Sequence, residues 1–120
     1  MSQHQVLHVK QVGPVSVVQP VTPEIVGRSF INIFSDELLE FVESEKPQKL
    51  VLTLTAVSNY SSEALGGLIR VVRRLESQGG TMKICMKADL RELFKVTRLD
   101  GTLFEIHPTE DDAIEAFFRN

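Results

Sequence analysis

The run Lys49-Leu50-Val51-Leu52-Thr53-Leu54 is followed, after a short polar stretch, by Ser61-Ser62-Glu63-Ala64-Leu65-Gly66-Gly67-Leu68. The first segment barely alternates, since Val51 and Leu52 are both apolar. That is the pattern of a strand covered on both faces, as in a parallel sheet flanked by helices. The second segment opens a helical period over about 62–78, with Leu65, Leu68, Ile69, Val72 and Leu75 on one face and Glu63, Arg70, Arg74 and Ser77 on the other. The junction therefore sets paired serines beside helix N–H groups that lack intrahelical acceptors. Ser61 or Ser62 is expected to cap the helix, a role worth roughly 1 kcal/mol by itself. A hydroxyl there can also accept a phosphate, because the helix dipole and free N–H groups offset part of the roughly −1.5 to −2 charges added.

The flanking segments extend the same alternation. Residues 5–12 and 15–19 are short β-branched runs around Gly13-Pro14, which predicts an opening antiparallel hairpin. Pro20, Pro23 and Gly27 then mark an irregular connection with a residue or two of extended structure. From about Ser29, Ile31, Phe34, Leu38, Phe41 and Val42 share a helical face, and Lys46-Pro47 ends that helix. Gly79-Gly80 stops the next one. A strand over 82–86 follows, with Lys83 expected near an edge or strand end. A helix over 88–97 points Leu90, Leu93, Phe94 and Val96 inward, and ends near Asp100-Gly101. A brief strand over 103–106 precedes a last helix, which Thr109 caps with Asp112 three residues on. Glu110, Asp111 and Asp112 suit its positive end, and Ala113, Ile114, Phe117 and Phe118 dock it. The order is β-β-α-β-α-β-α-β-α. It predicts one α/β domain over 1–120, a sandwich whose mixed, mostly parallel sheet of four to five strands is flanked by helices.

Bulk properties narrow the function classes. With a net charge of −3, the chain lacks the basic footprint of a nucleic-acid binder, Arg70, Arg73 and Arg74 being the local exception. That trio is expected to be a solvated helix side, its stems adding some packing. No apolar run reaches membrane-spanning length. One cysteine, no C-x-x-C pair and no signal peptide fit a reducing cytoplasmic setting. His4, His8 and His107 are expected at the surface, and Cys85 as inert packing. Neither phosphate-binding glycine motif occurs, and Gly66-Gly67 inside a helix suits close packing or a partner's approach. These residues assemble no catalytic constellation and no metal site, and they call for no cofactor. The expectation is a non-enzymatic protein.

The segment from Leu50 to Leu68, with Gly79-Gly80-Thr81-Met82-Lys83-Ile84-Cys85 and the run from Arg91 to Ile106, resembles the STAS domain of bacterial anti-sigma factor antagonists. The likeness spans nearly the whole chain and is strongest over 50–106. In that family the turn commonly reads Asp-Ser-Ser-Gly, and the first serine is phosphorylated by the anti-sigma factor kinase. Alignment on Val57-Ser58 and Leu65-Gly66 places Ser62 at the acceptor. Ser61, Glu63 and Ala64 then stand for the aspartate, second serine and glycine, so three of the four motif residues depart. Loss of the aspartate removes an acceptor, and Glu63 adds charge beside any phosphate.

The resemblance implies a transcription regulator that docks an anti-sigma factor kinase through Ser58, Asn59, Tyr60, Ser61, Ser62 and Glu63, together with Gly66 and Gly67 at the helix start. Phosphorylation of Ser62 would weaken docking and a phosphatase would restore it, with the nucleotide belonging to the partner. The expected state is a monomer or weak dimer, with no membrane insertion. The altered turn favours an alternative, a STAS interaction module without a phosphoswitch, such as a transporter ATPase partner or a signalling scaffold subunit. A phosphoaspartate receiver would need acidic residues where Pro20-Val21 and Thr55-Ala56 stand.

Overall fold

The computed structural model describes residues 6–21, 24–25, 27–57, 59–60, 62–96 and 104–118, with backbone alone at 24–25, 28–29, 59–60, 62–63, 93 and 96. Strands β1 (Leu7–Val12) and β2 (Val15–Pro20) form the expected hairpin, with Val12 paired to Val15 across Gly13-Pro14. Gly13 has φ +58°, the left-handed backbone that a two-residue hairpin turn requires at its first central position. Pro20 closes β2 opposite Leu7, so it belongs to the strand end and not to the connection after it.

Helix α1 (Arg28–Glu45) buries Ile31, Phe34, Leu38, Phe41 and Val42. Its stop is made one residue before the proline: Lys46 turns left-handed at φ 47°, and its N–H donates to the Val42 carbonyl at 3.0 Å. Strand β4 (Lys49–Thr53) leads through the junction to α2 (Ser62–Ser77). Gly79, at φ +84°, and Gly80 end α2, the Gly80 N–H returning to the Leu75 carbonyl at 3.0 Å. Then follow β6 (Thr81–Cys85), α3 (Ala88–Val96), β7 (Glu105–His107) and α4 (Glu110–Ala116). The last strand thus starts later than the sequence suggests, and the expected helix stop at Asp100-Gly101 lies outside the described residues.

Two further strands were not separately legible. β3 (Glu24–Ile25) and β5 (Asn59–Tyr60) pair in parallel, Glu24 beside Asn59 and Ile25 beside Tyr60. The main sheet runs β1-β2-β4-β6-β7, antiparallel in the hairpin and parallel elsewhere. One α/β domain with a five-stranded mixed sheet and flanking helices is therefore what the chain forms.

Side chains of β4, β6 and the residue after each sort by face. Leu50, Leu52, Leu54, Met82, Ile84 and Met86 join the large core under α1, α2 and α3. Val51 and Cys85 join a smaller cluster with Val15, Val17 and Ala113 under α4. On α2, Val71 is fully buried while Ile69 is only partly so, a slight rotation of the expected stripe. Phe118 is more than half exposed at the rim of the α4 contact, so the dock rests on Ala113, Ile114 and Phe117. Lys49 Nζ lies 5.6 Å from the Phe118 ring centre.

Candidate functional site

At the end of β4 the chain stays tied to the sheet for one residue more, the Leu54 N–H donating to the Cys85 carbonyl at 2.8 Å. It then turns tightly, with the Val57 N–H on the Leu54 carbonyl at 3.0 Å. Val57 is buried and Ala56 exposed, so the turn is anchored on one side and open on the other. Asn59 and Tyr60 form β5 against β3, which gives the segment ahead of α2 a backbone brace from the segment ahead of α1.

Ser62 is the first residue of α2, with Glu63 next. Ser58 and Ser61 lie outside the described residues. Ala64, where the aligned motif has glycine, is fully buried in the large core. Gly66 is exposed, and a Cβ there would meet nothing. Gly67 differs: a Cβ on it would collide with Ser35 Oγ on α1. Its bare Cα is taken up by the α1–α2 crossing, so Gly66 is the glycine whose open side faces outward.

The junction lies at the carboxyl end of β4, beside that of β6, where open parallel sheets leave room for ligands and partners. A cleft of about 170 Å³ opens there, lined by Ala56, Val57, Lys87, Asp89 and Leu90. Sequence reading passed over Lys87 and Asp89. Their position between a strand and the next helix was the available signal, and only the parallel pairing of β4 with β6 brings them beside Ala56.

Elsewhere the chemistry is mostly structural. Cys85 is buried, and burial pushes its thiol pKa up, in keeping with inert packing. Lys83 corrects the expectation of a strand end: it sits mid-strand and buried, Nζ 2.7 Å from Glu105 Oε2 and 4.8 Å from the Phe117 ring centre. His107 corrects another. It is mostly buried in β7, with Nε2 2.6 Å from the same Glu105 oxygen. Burial raises the Glu105 pKa, but hydrogen bonds from Lys83 and His107 outweigh it and hold the carboxyl below its ordinary value.

Glu110 behaves alike. Against burial, Lys10 at 2.8 Å and the Thr53 hydroxyl at 2.8 Å keep its pKa lowered. Asp111 and Asp112 stand in the first turn of α4, and the Asp112 N–H donates to Thr109 Oγ1 at 3.1 Å, the expected cap. Arg70 and Arg74 are exposed and pair loosely with Asp36 and Glu43 of α1, each at 3.7 Å. His4 lies outside the described residues, and His8 is exposed on β1. Among the described residues no three His, Cys, Asp or Glu side chains gather as a metal site, and no helix is long and apolar enough to cross a membrane.

Residues 9–113 match the model of the STAS domain. The fold superimposes on an anti-sigma factor antagonist from Mycobacterium paratuberculosis with a TM-score of 0.82 and 26% identity, covering 94% of this chain and 93% of that one. A putative anti-sigma factor antagonist from Thermotoga maritima gives 0.81 at 20% identity, with 94% and 95% covered. The Bacillus cell fate determinant SpoIIAA in its phosphorylated form gives 0.67 at 16% identity, with 92% and 98% covered. No curated protein sequence matches the chain significantly.

Proposed function

The chain belongs to the STAS domain family, and from that membership we propose that it is a non-catalytic cytoplasmic regulator, an anti-sigma factor antagonist switched by phosphorylation of Ser62. The observation that carries this reading is the position of Ser62 as the first residue of α2, the helix that follows the buried parallel strand β4 through a turn and the short strand β5. There the free N–H groups of the first turn and the helix dipole tolerate a phosphate, so modification changes the surface without unfolding the carrier. The docking surface comprises Ser58, Asn59, Tyr60, Ser61, Ser62 and Glu63 with Gly66, and extends to the cleft beside Lys87. β3 braces the middle of that surface, which lowers the ordering cost of binding. The partner is an anti-sigma factor with a nucleotide-binding kinase fold. A phosphatase resets the switch.

Incubation with an anti-sigma factor kinase and ATP should add the mass of one phosphoryl group to the intact protein, and Ser62→Ala should prevent it. Ser62→Glu should leave the unfolding free energy within about 1 kcal/mol of the parent while weakening kinase binding at least about tenfold, or 1.4 kcal/mol. A chain that binds the kinase yet stays unmodified would refute the switch. That outcome would support the second reading, a STAS interaction module without a phosphoswitch. A specific observation favours it: Ala64 is packed into the core where the motif has glycine, alongside the Ser61 and Glu63 departures.

A further inference from the structure

We propose that the outward side of α2 is a basic stripe centred on Arg73 that reads an acidic face of the docking partner, a step that rests on the Ser62 switch proposed above. At about 100° per residue, Ser62, Gly66, Arg70 and Arg73 fall within about 80° of one another around the axis of α2. The acceptor position therefore heads a line that runs past a glycine to two arginines, with Arg73 about 16 Å from Ser62 along the axis. Gly66, Arg70 and Arg73 are all exposed. A Cβ on Gly66 would meet nothing, so a partner can close on the backbone there and come within reach of the arginines.

Helix electrostatics accounts for only part of this charge. Arg74 lies in the last turn, where the dipole favours a cation, but Arg70 and Arg73 stand outside that turn. The carboxylates of α1 answer two of the three: Arg70 Nη2 is 3.7 Å from Asp36 Oδ1, and Arg74 Nε is 3.7 Å from Glu43 Oε2. Both pairs are exposed, so they are worth little and yield readily to a better-placed carboxylate. Arg73 has no ion pair or hydrogen bond among the described residues. It sits about 120° around the helix from Gly67, the glycine that faces α1, and so lies beyond the reach of the α1 carboxylates.

An acidic face is the occupant on two grounds. A guanidinium matches a carboxylate with a planar fork and is enriched at protein interfaces, so arginines gathered on one side of a chain with net charge −3 select a partner of opposite sign. The direction of the switch demands the same sign. A phosphate at the head of the stripe repels an acidic face and weakens docking, whereas opposite a basic face it would strengthen docking. Asp36, Glu40 and Glu43 of α1 are exposed alongside and repel an acidic partner that strays from α2, which fixes the direction of docking.

The probes are the purified anti-sigma factor kinases of the source organism, loaded with ADP so that no phosphoryl group is transferred, with dissociation constants measured by isothermal titration calorimetry. Affinity for the parent chain should fall at least about threefold between about 0.05 and 0.5 M salt. Arg73→Glu should weaken binding about tenfold or more at about 0.15 M salt, and Arg73→Lys should keep it within about threefold. Lys46→Glu makes the same charge change at the C-cap of α1 and should leave affinity within about twofold. Arg73 is exposed, so its variants should keep the parent's far-ultraviolet circular dichroism spectrum. Should Arg73→Glu fail to fold, Arg73→Gln removes the charge without reversing it and should weaken binding about threefold. A kinase that binds the parent and the folded Arg73 variants equally well overturns the stripe and leaves the switch standing. Equal weakening by Lys46→Glu overturns it too, since net charge alone would then be at work. Binding to none of the kinases overturns the stripe and the switch together.

Discussion

Gly67 and Ser35 meet where α2 crosses α1, and the contact decides how close the helices come. Ser35 Oγ is buried without a hydrogen-bond partner among the described residues. Gly67→Ala should cost about 1–3 kcal/mol by overpacking, measured by denaturant unfolding. Ser35→Ala removes an unsatisfied buried hydroxyl and should be neutral or stabilising by about 1 kcal/mol. Combined, the two changes should cost less than their sum, because the atom that clashes is gone. Glu110 makes a pH prediction. Its pKa is lowered in the folded chain, so the unfolded chain binds the proton more readily. The stabilisation is complete above the ordinary carboxylate value and is lost as pH falls through the depressed folded value. Glu110→Gln should therefore flatten the acid limb of stability against pH, measured by denaturation midpoints. Close packing was legible as one role of Gly66-Gly67, but Ser35 as the partner of Gly67 and the contacts of Glu110 were not. Lys83 looked peripheral because sequence spacing cannot reveal Glu105 on the neighbouring strand, and His107, which shares β7 with Glu105, because its burial depends on how that strand packs.

At the scale of elements, the helices were the most readable, because a 3.6-residue apolar period in α1 and α2 reports a buried face whatever covers it. The Thr109 cap was readable for the same reason: its chemistry is local. Thr109→Ala should cost about 1 kcal/mol and loosen α4 first, since that helix has seven residues and is the one described helix over the small cluster. Cys85 lies beneath α4 and reports its lifting. Its reaction with a thiol reagent under native conditions should accelerate roughly fivefold in Thr109→Ala, the factor that corresponds to about 1 kcal/mol of local opening. An unchanged rate would mean that Cys85 is reached by an opening that leaves the Thr109 cap in place. β5 escaped notice, and β3 was expected only as a residue or two of extended structure, because a two-residue strand has no period to detect. Their pairing joins residues 24–25 to 59–60, a contact that exists only once α1 and β4 have folded between them.

For the whole molecule, chain order and handedness dictate the distribution of helices. The connections β2-α1-β4, β4-α2-β6 and β6-α3-β7 all step the same way along the sheet. Right-handed crossovers that never reverse must leave their helices on one face. That face holds the large core, and among the described residues α4 alone covers the other. Hydrogen exchange should follow this arrangement: amides of Leu50, Leu52 and Ile84 should exchange only through global unfolding, while the Val9 and Gln11 amides, which point away from β2 on the exposed end strand, should exchange fast. Fast exchange throughout β4 would contradict a core centred on that strand. Local periodicity and turn chemistry, which act between near neighbours, were enough to determine the order of the main-sheet strands and the four helices, the α/β class and the serine at the head of α2. The tertiary structure decided which residues meet across distant segments: Gly67 against Ser35, Lys83 beside Glu105, and the brace of β3 on β5. Those contacts depend on where folded elements come to rest on one another, and no periodicity along the chain encodes that position.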